Sequence, residues 1–410
     1  MSSSNERSPD QASAGSRVDT SGAEAWRRFT DALAASGDAV FAREAIGRDA
    51  GQQAEMAESL AYALVAGLLG FTNLDRDRPE FLPLLNSGMR RYAANADTIY
   101  RHALISGQGQ YRITGRRKNA ELVVFQIVEG DNGFGDIAVT EQLIVPKLEA
   151  GQEDAMEIIV SAERPEGYSG LWMKLDPTVP EQFIAARFVA KDWATELDPQ
   201  IAIEPLHCSI RKLRDHPTSL FDRLELAARY VQGVTEELMG IMRTQLATSE
   251  VPNQLFEVTH LLPTIAGQAY THGVIETAPD EAWIAEIDLP EAVAYWSVQL
   301  LDYAYSTLDF PFRQCAINSD FGTIDSDGRL RIVVCDQDPG VANWLDKNGY
   351  GKVQMRCRWL GSSHPAIRTR VVPLKELHAH LPADTVTVSV KDREAFLRKR
   401  SIGAQMRSRW

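Results

Sequence analysis

Within eight positions, Asn95-Ala96-Asp97-Thr98-Ile99-Tyr100-Arg101-His102, the chain sets an amide, a carboxylate, two hydroxyls, a guanidinium and an imidazole. The apolar run Ala103-Leu104-Ile105 follows. In an extended strand Asp97, Ile99 and Arg101 share one face, and Tyr100 and His102 the other. Tyr100 and His102 then stand about 6–7 Å apart and can line one pocket as hydroxyl donor and proton shuttle. Asp97 and Arg101 lie about 13 Å apart, so each needs a partner from a neighbouring strand. In a helix, Asp97, Tyr100 and Arg101 would meet instead. A structural alternative exists: Asn95 and Asp97 bond the backbone amides of a turn while Tyr100 packs its ring and ties its hydroxyl. The β-prone Thr-Ile-Tyr favours the strand.

Further along, Arg313 alternates with Cys315 and Ile317 in Phe310-Pro-Phe-Arg-Gln-Cys-Ala-Ile-Asn318. On a core-facing strand its guanidinium requires a carboxylate, Asp97 or Asp336, or a substrate anion. Asn318 closes the same run and can bind substrate beside it. In Lys352–Leu360 the residues Val353, Met355, Cys357 and Trp359 point one way, while Lys352, Gln354, Arg356 and Arg358 point the other and read as a solvated face.

Metal-ligating spacings occur but lack support. Glu204-x-x-His207 contains proline, Glu257-x-x-His260 lies among β-branched residues, and His378-x-His380 has no third ligand nearby. Tyr270, His272 and Glu276 form a looser group. No metal and no cofactor is expected. No GxSxG elbow, Walker loop or HExxH is present, and no GxGxxG opens a helix after a strand. The glycine-rich stretch from Gly130 to Gly135 lies between two strand-like runs and fits a turn.

These residues must be positioned by elements that hydropathy outlines. Trp26, Phe29, Leu33, Met56, Leu60, Leu64 and Leu68 recur at helical spacing. From Asp97 the period becomes two, in short runs parted by turns, and Gln110–Gly130 reads as a β hairpin. Residues near 217–247 form an amphipathic helix with Leu224, Ala227, Ala228, Val231, Val234, Leu238 and Ile241 as its buried stripe. A second β series follows. The expected fold class is therefore α+β, mainly antiparallel β: two β-sandwich modules with an N-terminal helical segment and a connecting amphipathic helix. The expected boundaries are a disordered start at 1–22, helices at 23–94, a first β module at 95–210, a connecting helix at 211–250, a second β module at 251–385 and a basic tail at 386–410.

The chain has 410 residues and a formal net charge of −13, which argues against a nucleic-acid partner. No run of about 18 apolar residues suggests a membrane span, and the polar start does not read as a secretory signal. A cytoplasmic location is expected, with Cys208, Cys315, Cys335 and Cys357 reduced and packed as small apolar groups. The tail from Lys391 carries seven Lys/Arg against two Asp/Glu. It is expected to dock on protein, its own body or a sister subunit of a homo-oligomer, through Phe396, Leu397, Ile402, Met406 and Trp410.

The chain resembles two families catalogued as domains of unknown function 1254 and 1214. Asn95, Asp97, Thr98 and Tyr100 match an Asn-x-Asp-Thr-x-Tyr signature of the first. Trp296-Ser297-Val298, Arg313, Asp327-Gly328, Asn343-Trp344-Leu345 and the strand around Arg356–Trp359 match features of the second. The resemblance implies that the two modules are jelly-roll-like, with helical additions.

The expected function is a cofactor-independent acid–base enzyme, of lyase, dehydratase, isomerase or hydrolase type. It would act on a small, partly apolar substrate with a polar or anionic handle. Asp97 or His102 would move the proton and Tyr100 would donate to a developing oxyanion, with Asn95, Arg101, Arg313 and Asn318 binding substrate. The alternative is a non-catalytic ligand-binding or assembly module of a homo-oligomer.

Overall fold

The structure, a computed structural model, describes residues 22–42, 49–73, 75–83, 85–130, 137–149, 151–211, 217–248, 251–258 and 264–407. Residues 1–21 of the expected disordered start, the glycine-rich loop after Gly130, His260 and Trp410 lie outside the described residues.

Alternating sequence becomes sheet in two blocks. The first holds β1 (Leu82–Pro83), β2 (Thr98–Ser106), β3 (Gln110–Arg116), β4 (Leu122–Glu129), β5 (Ala138–Ile144), β6 (Ala155–Ser161), β7 (Leu171–Lys174), β8 (Glu181–Val189) and β9 (Gln200–Pro205). Two sheets, ordered β1-β2-β8-β4-β5 and β7-β6-β3-β9, face each other. Between them lie Ile99, Ile105, Ile113, Phe125, Ile127, Ile158, Ile184 and Phe188.

The second block holds β10 (Leu255–Glu257), β11 (Gln268–Glu276), β12 (Glu281–Asp288), β13 (Tyr295–Leu301), β14 (Ala316–Asn318), β15 (Arg329–Cys335), β16 (Trp344–Asp346), β17 (Lys352–Leu360) and β18 (Ala366–Pro373). Its sheets are β10-β11-β17-β13-β14 and β16-β15-β12-β18. Trp283, Trp296, Val298, Met355, Cys357 and Trp359 fill the space between them. Pairing is antiparallel except for β6 with β7 and β15 with β16. The expected fold class, mainly antiparallel with two sandwich-like modules and N-terminal helices, is the one observed.

One local expectation is overturned. Gln110–Gly130 is not a hairpin: β3 pairs with β6 and β9, whereas β4 pairs with β5 and β8 in the opposing sheet. The turn between them carries the chain across the sandwich. Turn chemistry marks a reversal but not which sheet receives the next strand.

Helices α1 (Gly22–Phe41), α2 (Ala50–Asn73) and α3 (Pro217–Thr248) pack together. The α3 stripe buries Ala227, Ala228, Val231, Val234 and Leu238 as its periodicity predicts. Met56 of α2 and Leu238 and Met242 of α3 rest on Ala93 and Tyr305, so the bundle sits against the second module. By length and composition alone, Ala50–Phe71 is apolar enough to cross a membrane, which the sequence reading did not register. In this fold its Ala63 and Ala66 pack against Tyr230, Val231 and Val234 of α3.

After a 3₁₀ segment, Leu374–His380, the tail forms α4 (Val390–Met406). It does dock on the body, but of the apolar residues expected only some take part. Among the described residues Ile402 and Met406 are exposed, while Phe396 packs on Phe321. Three buried arginines seven residues apart hold it instead. Arg393 reaches Asp338 and Gln314, Arg400 donates to Ala316 O at 2.6 Å, and Arg407 donates to Asp97 O and Phe188 O. Seven residues are nearly two full turns, so all three point the same way.

Candidate functional site

The opening run is a strand entry. Asn95-Ala96-Asp97 precedes β2, and from Thr98 to Ser106 the chain pairs antiparallel with β8. Asp97 is buried and carries the connection between the modules. Its Oδ2 accepts the Tyr295 hydroxyl at 2.6 Å, and its Oδ1 accepts Trp193 Nε1 at 3.0 Å and Asn318 Nδ2 at 2.9 Å. Asn95 Nδ2 donates to the same Tyr295 oxygen at 2.9 Å, and Asn95 Oδ1 accepts the Asp97 amide. Burial pushes the Asp97 carboxyl above its ordinary range, against the pull of these donors and of the Arg400 charge. The carboxylate thus ties β13, β14 and the segment after β8 to one point.

Around that point the loop before β2 is clamped on the second module. Gln299 Nε2 donates to Ala93 O and Ala94 O, its Oε1 accepts the Ala96 amide, and Arg358 donates to Ala93 O. Tyr92 and Ala93 adopt left-handed backbone, φ 58° and 50°, as does Tyr305 at 63°. For residues with a side chain this conformation costs about 1–2 kcal/mol each. Ala93 N donates to Tyr305 O at 2.8 Å, so the unfavourable turns lean on each other.

This clamp corrects the reading of Lys352–Leu360. The alternation is real, but the polar face of β17 is not solvated. Arg356 and Arg358 are 1% and 6% exposed, and of that row only Lys352, at the strand end, is exposed. The first-module loop and the Tyr305 turn cover the face that sequence pattern assigns to water. β17 lies between β11 and β13, which brings Tyr270 opposite Arg358 and His272 opposite Arg356. A Cβ at Gly273, on the core face of β11, would sit 2.0 Å from Gln254 O, so the glycine lets the chain entering the edge strand β10 approach closely.

The resulting cluster is cationic and aromatic. The guanidinium carbons of Arg356 and Arg358 stand 5.9 and 5.8 Å from the Tyr270 ring centroid, within cation–π range. Arg356 donates to the Tyr305 hydroxyl. Its Nε and Nη1, and Arg358 Nη1, are buried without a hydrogen-bond partner among the described residues, and the His272 ring meets the Met355 backbone. Among the described residues the charges acting on Arg356 are Arg358, Tyr270 and Cys357, with no carboxylate among them. Burial first, then Arg358, pushes the Arg356 pKa down to about 9. His272 is held well below its ordinary value by burial and by Arg356, so its imidazole is neutral at pH 7.

The first module completes the cluster from the opposite side. Tyr100 and Arg187, neighbours across β2 and β8, both act electrostatically on Tyr270. Arg187 lies over the Tyr100 ring and donates to Gln126, and Gln126 Nε2 donates to Thr264 O of the second module at 2.8 Å. Tyr100, Arg187 and Tyr270 are half-buried, so solvent reaches this end of the junction. Burial raises the Tyr270 pKa, which keeps its phenol protonated.

The remaining expected site residues are dispersed. Tyr100 OH accepts the Asn95 amide at 3.0 Å. Arg101, buried on the opposite face of β2, donates to Tyr100 O and lies in the field of Asp198 and Arg407. His102 shares the Tyr100 face as expected, but is sealed beside Phe183 and α2, its pKa pushed down to about 4 by burial. Arg313 is not on a core strand: it sits in a turn before β14, half-exposed, and pairs with Asp346 at 2.6 Å rather than with Asp97 or Asp336. Asn318 does join Asp97.

Of the loose Tyr270, His272 and Glu276 group, the first two face the junction, and Glu276 pairs with Lys352. Glu204 pairs with Arg112, and His207 bonds the Gln110 backbone. Among the described residues no three His, Cys, Asp or Glu side chains converge as a metal site. Cys315, Cys335 and Cys357 are buried, and Cys208 is half-buried.

Comparison with known proteins agrees with this architecture. No curated protein matches the chain. Among solved structures it is similar to an uncharacterized protein from Burkholderia cenocepacia, with 26% identity over 86% of this chain and 97% of that one and a TM-score of 0.79. A Vibrio parahaemolyticus protein aligns at 12% identity over 77% of this chain and 99% of that one, with a TM-score of 0.42. Residues 284–364, which contain Tyr295, Asn318, Arg356 and Arg358, match the family described as "Protein of unknown function (DUF1214)".

Proposed function

We propose that the junction between the two sandwiches binds a small organic anion, with Arg356 and Arg358 receiving the charge and Tyr270 supplying a hydroxyl beside it. One observation carries this reading: on one strand two alternate guanidiniums are buried, each with a terminal nitrogen lacking a partner among the described residues. Among the described residues no carboxylate acts on Arg356. A buried unpaired cation is strongly unfavourable, and an anionic ligand supplies what the fold withholds. The resemblance of the first module to the family of unknown function 1254 forms part of the same reading, since Tyr100 acts on Tyr270 and Asn95 and Asp97 hold the loop before its strand on the second module.

Cofactor-independent acid–base chemistry on the bound anion is the second reading. What favours it is His272, a buried neutral imidazole opposite Arg356 on the neighbouring strand. Tyr270 then donates to a developing oxyanion and the neutral imidazole moves the proton. Asp97 is a poor choice for that role, because both of its oxygens already accept hydrogen bonds.

The test is a thermal-shift and calorimetric screen of the full chain against small carboxylic acids, alcohols and sugars. Acids should stabilise the protein while alcohols and sugars do not, and Arg358→Gln should abolish the response. Equal shifts for wild type and Arg358→Gln would remove the junction from consideration.

A further inference from the structure

Resting on that reading, we infer that the ligand carries two negative charges held apart, as in a short-chain dicarboxylate. Arg356 and Arg358 are alternate residues of one strand, so their side chains leave the same face about 6–7 Å apart. Each is fixed by its own anchor, Arg356 by the Tyr305 hydroxyl and Arg358 by Ala93 O, and each keeps Nη1 unbonded. Both lean on a single ring, Tyr270, so they converge on one ligand rather than serving two.

A monocarboxylate would neutralise one guanidinium and leave the other buried with its charge. Two carboxylates on a short chain match both the charge and the separation. Each guanidinium is already held by its own anchor, so a ligand with two separated charges meets both without displacing either. The second module contributes flat, weakly polar surfaces, Tyr270, Tyr305 and neutral His272, against which the chain between the carboxylates can lie. The half-buried Tyr100, Arg187 and Tyr270 mark the side from which it enters.

The experiment is titration calorimetry on the intact protein at pH 7. Malonate, succinate and glutarate are compared with acetate, propionate and butyrate, and with inorganic phosphate and sulfate. The best dicarboxylate should bind about tenfold or more tighter than any monocarboxylate. Arg356→Gln and Arg358→Gln should each abolish that binding. Equal binding of mono- and dicarboxylates, still lost in Arg358→Gln, would overturn the two-charge inference and leave the anion site standing. Phosphate or sulfate binding tighter than every dicarboxylate would overturn it as well. Absence of binding by all the anions would overturn both. The wild-type comparison needs no variant, so it decides the question even if a substituted chain fails to fold.

Discussion

The Tyr295 hydroxyl donates to Asp97 Oδ2 at 2.6 Å, joining positions 198 residues apart and belonging to different sandwiches. Asn95 donates to the same phenolic oxygen, and Trp193 and Asn318 close on the other carboxylate oxygen. The bond fixes where the first module sits on the polar face of β13, β17 and β11, and so fixes what surrounds Arg356 and Arg358.

Asp97→Ala should therefore destabilise strongly. It leaves the donors of Tyr295, Trp193 and Asn318 without their acceptor, and each orphaned buried donor costs about 1–3 kcal/mol. A loss of about 3 kcal/mol or more in urea denaturation is expected, against about 1–2 kcal/mol for Tyr295→Phe. A double variant no worse than Asp97→Ala alone would show the two acting as one unit.

Removing a cation from the junction should have the opposite sign. Arg356→Met replaces a fully buried, incompletely bonded guanidinium with an apolar chain of similar length. Such exchanges in buried ionic sites are neutral or stabilising by about 1–4 kcal/mol. The ligand-free variant should melt at or above the wild-type temperature, while losing the response to anions. A drop of several degrees would mean that the arginine serves the fold and not a ligand.

The stability of the chain should fall as pH rises from 6.5 to 8.5, and Asp302 is the cause. Burial, with Glu55 and Glu58 adding, pushes its carboxyl up to about 8, against the amide of Ser306. The folded chain thus holds a proton that the unfolded chain releases near its ordinary pKa of about 4. The stabilisation is complete below that value and is lost as pH climbs through 8. His102 works in the other direction, but only between its folded pKa of about 4 and about 6.5. Melting curves of Asp302→Asn should lack the decline above pH 6.5. A parallel decline in the variant would assign it to other groups.

The C-terminal helix should act as a structural strap. Arg400 stacks on the Trp193 ring at 4.2 Å and donates to Ala316 O, so it spans from the segment after β8 to β14. Arg400→Ala should lower stability by about 2–4 kcal/mol, from a desolvated cation–π contact and a charged hydrogen bond. Arg398→Ala, on the exposed side of the same helix, should change it by less than about 0.5 kcal/mol. Equal effects at the two positions would contradict this seam.

Sequence alone determined which side chains share a face. Period-two alternation placed Val353, Met355, Cys357 and Trp359 together and set Tyr100 and His102 on one side of a strand, as the structure has them. It also determined the α3 stripe, the burial of Cys315, Cys335 and Cys357, and the mainly antiparallel architecture, because these depend on local spacing and on the free energy of hiding apolar area. Only the tertiary structure decided what covers each face. Arg356 and Arg358 alternate with apolar residues as a solvated row would, and nothing near them in the chain records that Ala93 and Tyr305 close over them. For the same reason Arg313 found Asp346, and β3 and β4 went to opposite sheets. Alternation encodes direction relative to the strand's own plane, whereas solvent, an anion and a second module are all possible occupants of that direction until distant segments fold against it.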